Sequence, residues 1–363
     1  MSLLTSVLND RHVALGAKFA EFSGWSMPLQ YPAGIVAEHR GVRASVGVFD
    51  VSHLGKLTVR GPGAVDFLNA CLANDLNRIG PGRAQYTLCC NPGGGVVDDL
   101  IAYVDGLDDV LLIPNAANTE AVGALLQDAA PSGIEIANRH MDFGVIAVQG
   151  PASDETLTAI GLPTELGYMA FEHADVAGGH CTVCRTGYTG ERGYELVVPI
   201  EYTGAVWDAI LEAGKAYDIV PAGLGARDTL RTEMGYALHG HELSQSISPV
   251  EAGVSWAVGW KKESFWGSDV LRAQKASGPA RRSRGLKAAG KGIPRPGMQV
   301  VDADGAEIGV VTSGTFSPTL NCGIALALLD AAHADDTEAS VVIRGKAEPF
   351  EVTDPPFVES HVR

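Results

Sequence analysis

Positive charge is scarce in this sequence: 27 Lys and Arg stand against 43 Asp and Glu, a formal net charge of −16 over 363 residues. A chain this acidic does not hold nucleic acid through its overall field, so any anion it binds must meet a local basic patch. Cysteine is sparse as well. The six residues Cys71, Cys89, Cys90, Cys181, Cys184 and Cys322 show no framework spacing, which fits a reducing compartment. The only C-x-x-C, Cys181 to Cys184, lies in a strand-like run where positions i and i+3 face opposite sides, a poor arrangement for a metal. His239-Gly240-His241-Glu242 lacks the helical i, i+4 spacing of a zincin and reads as loop histidines after a helix, so no metal is expected. Long apolar runs are also missing. None approaches membrane-spanning length, and Asp10 and Arg11 interrupt the start before any signal-peptide core, so the expected location is the cytoplasm, or an organelle if a presequence was removed.

What is present describes a folded chain with many tight turns. Hydrophobic residues make up 46% and charged residues 19%, with 44 Gly, and the length suits two or three domains. Short strands and helices alternate irregularly, and hairpins outnumber crossovers, which predicts α+β rather than a doubly wound sheet. Helical patterns cover 35–45, 63–72, 118–129, 153–160 and 203–216, and the segment Pro221–Asp228 leads into another helix. Gly223-Leu224-Gly225 is half of a dinucleotide fingerprint, but no third glycine and no βαβ unit accompany it, so NAD is discounted. The run 247–260 is β-prone, and its Trp256 suits a core or a stacking plate equally. A boundary falls near 274–283. Beyond it, short strands separated by Gly, Pro and Asp predict a small all-β barrel. The predicted division is therefore 1–275, as two interleaved α+β domains, and 276–363, as the barrel. Arg281, Arg282, Arg284, Lys287, Lys291 and Arg295 form a local basic stretch there, readable either as a solvated linker or as a docking patch.

The chemistry is expected in Gln85–Asp99. Gln85–Cys90 and Gly95–Tyr103 read as strands, and Asn91-Pro92-Gly93-Gly94 as the turn between them. A four-residue turn sets Tyr86 opposite Asp99 and Thr87 opposite Asp98. Strand alternation then points Asp98 away from any pocket that Asp99 faces, so one carboxylate beside one aromatic is expected, suited to a flat heterocycle with a basic nitrogen. Asn115, ending a strand, is placed to read a ligand edge, though a turn-forming Asn is the commoner case. The loop Gly187–Glu191 would let backbone amides approach a bound group. His53 reads as a buried, hydrogen-bonded histidine rather than a catalyst.

With Asp99, Glu195 and Arg227 in these settings, the chain resembles the folate-dependent aminomethyltransferases of the glycine cleavage system. The resemblance runs through Gly24-Trp25, Phe49-Asp50-Val51-Ser52-His53, Gly94–Leu100, Gln149-Gly150-Pro151, Arg185–Glu191, Pro221–Asp228 and Pro249-Val250-Glu251 to Thr312-Ser313-Gly314 and Ser317-Pro318-Thr319. It implies a three-domain cloverleaf around a central folate cavity, with a C-terminal β-barrel. It further implies transfer of the methylene carbon of an aminomethyl group from the lipoyl arm of the carrier H-protein to tetrahydrofolate. Ammonia and the dihydrolipoyl carrier leave, and 5,10-methylenetetrahydrofolate forms. Tetrahydrofolate would be the co-substrate and the lipoylated H-protein the partner, with neither nucleic acid nor membrane involved. Asp99 carries over as the catalytic carboxylate near N5 and N10. Glu195 would accept the parallel N–H donors of a pterin, and Arg227 would meet either a pterin oxygen or the glutamate tail. Tyr86, Asn115, Tyr188 and Trp256 carry over as pocket residues. The family usually has Met where Leu54 stands, and some members have Tyr where Met169 stands. Folate domains of dimethylglycine and sarcosine oxidases share motifs but are joined to flavin-binding regions, which this chain lacks. The alternatives to aminomethyl transfer are a related folate-dependent demethylase and a non-catalytic folate-binding factor.

Overall fold

The computed structural model describes residues 2–363 and is α+β, with three sheets and a closed barrel. Two larger sheets dominate the first part of the chain. One has six strands in the order Phe171–Val176, Gly179–Cys184, Gly193–Pro199, Phe143–Gln149, Gly47–Asp50, Val220–Pro221. The other has five, in the order Arg83–Cys90, Val96–Gly106, Asp109–Ile113, Leu57–Arg60, Glu135–Asn138. The early strand Gly47–Asp50 pairs with the late strand Phe143–Gln149, so the five-stranded sheet is an excursion between two strands of its neighbour. A small third sheet pairs Lys18–Phe22 with Trp25–Gln30. Its turn is made by Ser23 and Gly24, both at positive φ. The barrel closes six strands from Arg281–Ala288 to Lys346–Thr353, so no strand edge is left open.

The two larger sheets bury apolar faces against helices. The six-stranded sheet is apolar on both sides: Cys181 packs with Trp207, Val206 and Ile210, whereas Cys184, three residues on, packs with Tyr103, Phe171 and Leu230. The opposite-face reading of the C-x-x-C is therefore what the strand shows. The helix Leu224–Glu233 joins these layers to the barrel through buried charge. Arg231 bonds Asp228 at 2.7 Å, Glu242 at 3.0 Å and Ser313 of the barrel at 2.8 Å. Glu233 accepts from Ser317 at 2.5 Å and Thr319 at 3.0 Å, and pairs with Arg43 at 2.9 Å.

Three expectations change. The hairpin register is shifted: Tyr86 faces Ile101, Thr87 faces Leu100, and Asp99 faces Leu88. Asn91 and Gly95 already pair through a 2.8 Å backbone bond, so the turn takes one residue fewer than expected, and a bulge at Val97 then adds one to the longer strand. The run 247–260 forms no strand. Pro249, Gly253 at φ 76° and the caging of Glu251 by Ser248 turn it into loops and a short 3₁₀ helix, Ser255–Ala257. The basic stretch is not a linker, because Arg281, Arg282 and Arg284 lie on a barrel strand and pair with Glu251, Asp335 and Asp354. Those three charges are already answered within the chain.

Candidate functional site

The strand Val96–Gly106 carries Asp99 to the face where Arg83–Cys90 carries Tyr86, and the Tyr86 hydroxyl donates to Asp99 Oδ2 at 3.0 Å. The two residues are not directly opposite, as the sequence suggested, but offset along the ladder. Tyr86 is long enough to span the offset. Asn115 follows two residues after Ile113, the partner of Ile101, and so lies level with Asp99. Its amide donates to Asp99 Oδ1 at 2.9 Å and to the Asp99 carbonyl at 3.0 Å. The same amide also reaches Asp98 Oδ1 at 2.9 Å, and the Asn115 backbone N–H reaches Asp98 Oδ2 at 3.0 Å.

Asp98 is not left to solvent. It is fully buried, because the segment after Ile113 folds over its face of the sheet and supplies it with donors. Asn118 adds a bond to Asp98 Oδ1 at 2.7 Å and is itself 3.0 Å from His239 Nδ1. His239 Nε2 donates to the Val96 carbonyl at 3.1 Å. Sequence reading missed Asn118 and His239. The spacing of Asn115 and Asn118, one helical turn apart, was the available signal. Burial, with the neighbouring Asp99 charge, lifts the Asp98 carboxyl well above the usual range. Burial lifts Asp99 too, against the lowering effect of its bonds from Tyr86 and Asn115.

Aromatic rings wall this carboxylate. Trp256 stacks on Tyr86 with ring centroids 5.4 Å apart, and 67% of Trp256 is exposed, so it is a plate at the rim rather than core. Tyr188 lies close enough for the Asp99 charge to add to the effect of burial in raising its hydroxyl. That hydroxyl donates to the Ala237 carbonyl at 2.5 Å, which fixes the ring. The loop bearing it is pinned by buried Gln149, which donates to the Thr186 and Tyr194 carbonyls at 3.1 Å each and accepts from Thr189 at 2.8 Å. Gly190 turns the loop at φ 84°, where an added Cβ would strike Met234.

Arg227 lies over the Tyr188 ring, its Cζ 4.6 Å from the centroid. Its Nη1 is buried and, among the described residues, has no partner. The Glu195 charge opposes the lowering of Arg227 by burial, and Thr186 donates to Glu195 Oε2 at 2.7 Å. Glu195 is 7% exposed. His53 stands near the same guanidinium. Burial and the Arg227 charge pull it down to about 3, so the ring is neutral. Its Nδ1 has no hydrogen-bond partner among the described residues, which corrects the expectation of a satisfied core histidine. All seven residues singled out for the site therefore belong to one neighbourhood: Asp99 with Tyr86, Asn115 and Trp256, then Tyr188, Arg227 and Glu195. Such an assembly can hold a flat heterocycle between rings, pair its N–H edge with a carboxylate, and present a second carboxyl to a reacting nitrogen.

Comparison with known proteins points the same way. The GCVT N-terminal domain family model matches residues 8–262, and the glycine cleavage T-protein C-terminal barrel domain model matches 281–359. An aminomethyltransferase of Frankia alni is 57% identical over 362 residues, 99% of both chains. One of Mycobacterium bovis is 57% identical over 363 residues, covering 99% of this chain and 98% of the relative. The crystal structure of glycine cleavage system aminomethyltransferase T from Bartonella henselae superposes with a TM-score of 0.94 at 34% identity, over 99% of each chain.

Proposed function

The chain belongs to the glycine cleavage T-protein family and performs its aminomethyl transfer; from that premise we propose how its own residues do so, with tetrahydrofolate as acceptor and a lipoylated carrier, the H-protein, as donor. The carrier's S–CH₂–NH₂ group gives its carbon to N5 and N10 of the folate. The two N–H protons displaced there balance those gained by ammonia and by the released thiol. Glu195 accepts the paired N–H donors of the pterin edge. Arg227, stacked on Tyr188 beside Glu195, brings its unpaired Nη1 to a pterin oxygen at that buried end of the site rather than to the glutamate tail. Tyr86 and Trp256 flank the rim.

Asp99 is the catalytic residue of this reading. Its carboxyl, lifted by burial, holds the N10 side of the acceptor and takes its proton as the carbon is transferred, a contribution of about 10²–10⁴-fold. Alignment of two reactants that both arrive on large carriers contributes at least comparably. The single observation that supports the reading most is this half-open carboxyl, fixed by Tyr86 and Asn115 and walled by rings. The same reading assigns folate binding to residues 1–275, as two interleaved α+β domains, with 276–363 as the barrel domain. Six free thiols accord with a reducing cytoplasm.

The test is single-turnover formation of methylenetetrahydrofolate from preformed aminomethyl carrier, with ammonia and free dihydrolipoyl carrier counted together. Asp99→Asn should fold, bind folate within a few-fold and lose most turnover. Near-normal turnover would remove Asp99 from the chemistry.

A further inference from the structure

Two adjacent carboxyls meet one amide at this site, and their partners differ in kind. Asp98 receives three N–H donors: Asn115 N at 3.0 Å, Asn115 Nδ2 at 2.9 Å and Asn118 Nδ2 at 2.7 Å. Each of its oxygens is met by a donor. A protonated carboxyl must donate from one oxygen, and none of these three partners can accept. Asn118 cannot turn its oxygen inward, because its other N–H meets His239 Nδ1, and the opposite ring nitrogen is committed to the Val96 carbonyl. Asp99 is placed otherwise. Its Oδ2 meets the Tyr86 hydroxyl, which can reverse and accept, so Asp99 keeps its bonds with or without a proton.

We propose that Asp98 is a positioning residue for the transfer step: it carries the fixed negative charge of the pair and, through the shared Asn115 amide, makes Asp99 the member that takes up and returns the proton. The inference rests on the catalytic reading of Asp99. Its electrostatics follow from the neighbours. The titratable groups facing the pair are Tyr86 and Cys89 from the adjoining strand, Tyr188 from the glycine-rich loop and His239 from the loop after helix Leu224–Glu233. Burial raises both tyrosines and Cys89, which leaves them neutral. Burial and the Asp99 charge raise Asp98, but its bonds from Asn118 and Asn115 oppose that rise and suit only the anion, so the charge of the pair rests on Asp98; it acts on Asp99 with no ionised phenol or thiol to mask it, and a like charge at short range favours the protonated neighbour. Asn115, offered to three acceptors with two protons, couples the position of one carboxyl to the charge of the other.

The full chain, labelled with ¹³C at aspartate carboxyls and titrated by NMR without folate or carrier, tests the assignment directly. Asp98→Asn and Asp99→Asn identify the two signals. Asp98 should lose its proton first and Asp99 last. In Asp98→Asn the Asp99 titration should fall by about one pH unit or more, because the neighbouring charge is gone. Asp98 titrating last, or an unmoved Asp99, would overturn the proposal. Should Asp98→Asn fail to fold, Asn118→Ala serves instead. Loss of one charge-assisted donor should raise the Asp98 titration by about one unit, and no movement would overturn the donor-set argument. The acid limb of the single-turnover pH profile should follow the Asp99 signal in each folded variant. Titrations as described, but with full turnover in Asp99→Asn, would overturn the positioning role through the failure of the Asp99 reading and leave the charge order standing.

Discussion

Glu195 and Arg227 show what a single side chain contributes here. Glu195 is nearly enclosed and Arg227 half-buried, and the Arg227 Nη1, buried and without a partner among the described residues, marks a bond that the protein alone does not make. Glu195→Gln exchanges a charged acceptor for an amide that offers a donor to donors. It should weaken tetrahydrofolate binding by about 1–3 kcal/mol, and Arg227→Ala comparably, by titration calorimetry. Unchanged affinity in both would take the pair out of the folate site. His53 adds a second unpaired polar atom beside Arg227, and its neutrality means that it brings no competing charge there.

At the scale of elements, the hairpin is decided at its tip. Asn91 accepts the Gly95 N–H through its side chain at 3.1 Å and donates to the Gln245 carbonyl at 2.9 Å, so tip and neighbouring loop are locked together. Gly95 has no room for a Cβ, which would land on that same Gln245 carbonyl. Gly95→Ala should therefore cost roughly 1–3 kcal/mol through backbone displacement. Because the bulge at Val97 lies between tip and Asp99, folate affinity should fall with stability. Thermal unfolding and calorimetry on the one variant check both, and a melting temperature equal to wild type would show that the tip yields freely.

The whole molecule is held by buried charge between its parts. Glu233 joins the helix Leu224–Glu233 to the barrel and to Arg43. Burial alone would raise its carboxyl, but His39, Ser317 and Arg43 outweigh burial and bring it from 4.5 down to about 2. A carboxyl depressed in the folded state stabilises above its unfolded pKa and loses that contribution as pH falls through the folded one. Stability worth about 3 kcal/mol should therefore disappear between pH 4.5 and about 2. Glu233→Gln should be less stable at neutral pH and show a flatter acid dependence over that window, by denaturant titration. An unchanged slope would mean that the contact is not felt in stability. The basic barrel strand gives a second test. Arg281, Arg282 and Arg284 each face a carboxylate, so reversing all three to Glu should lower the melting temperature, more at low salt than at high. A melting temperature insensitive to the reversal would mean that these surface pairs contribute nothing.

Local chemistry was legible in the sequence because it depends on short-range rules. Alternating Val, Tyr and Thr gave the strands of the hairpin, Asn-Pro-Gly-Gly gave its turn, and period two put Cys181 and Cys184 on opposite faces. Gly- and Pro-punctuated short strands gave the barrel. Asp99, Glu195 and Arg227 could be named from their local settings and the resemblance those settings carry. Tertiary structure decided what depends on segments distant in sequence. The register moved because a turn lost a residue and a bulge gained one, and the second change is not encoded in residue type. Asp98 became a buried carboxyl with its own donor set because Asn115 and Asn118, 17 and 20 residues on, fold over it. His239, 121 residues beyond Asn118, fixes that donor face from a third segment. Arg281 to Arg284 looked like a free patch because their carboxylates, at Glu251, Asp335 and Asp354, come from other strands and loops. Period and turn propensity act over a few residues, whereas the charge state of a buried carboxyl is set by whatever the folded chain brings within about 3 Å of it.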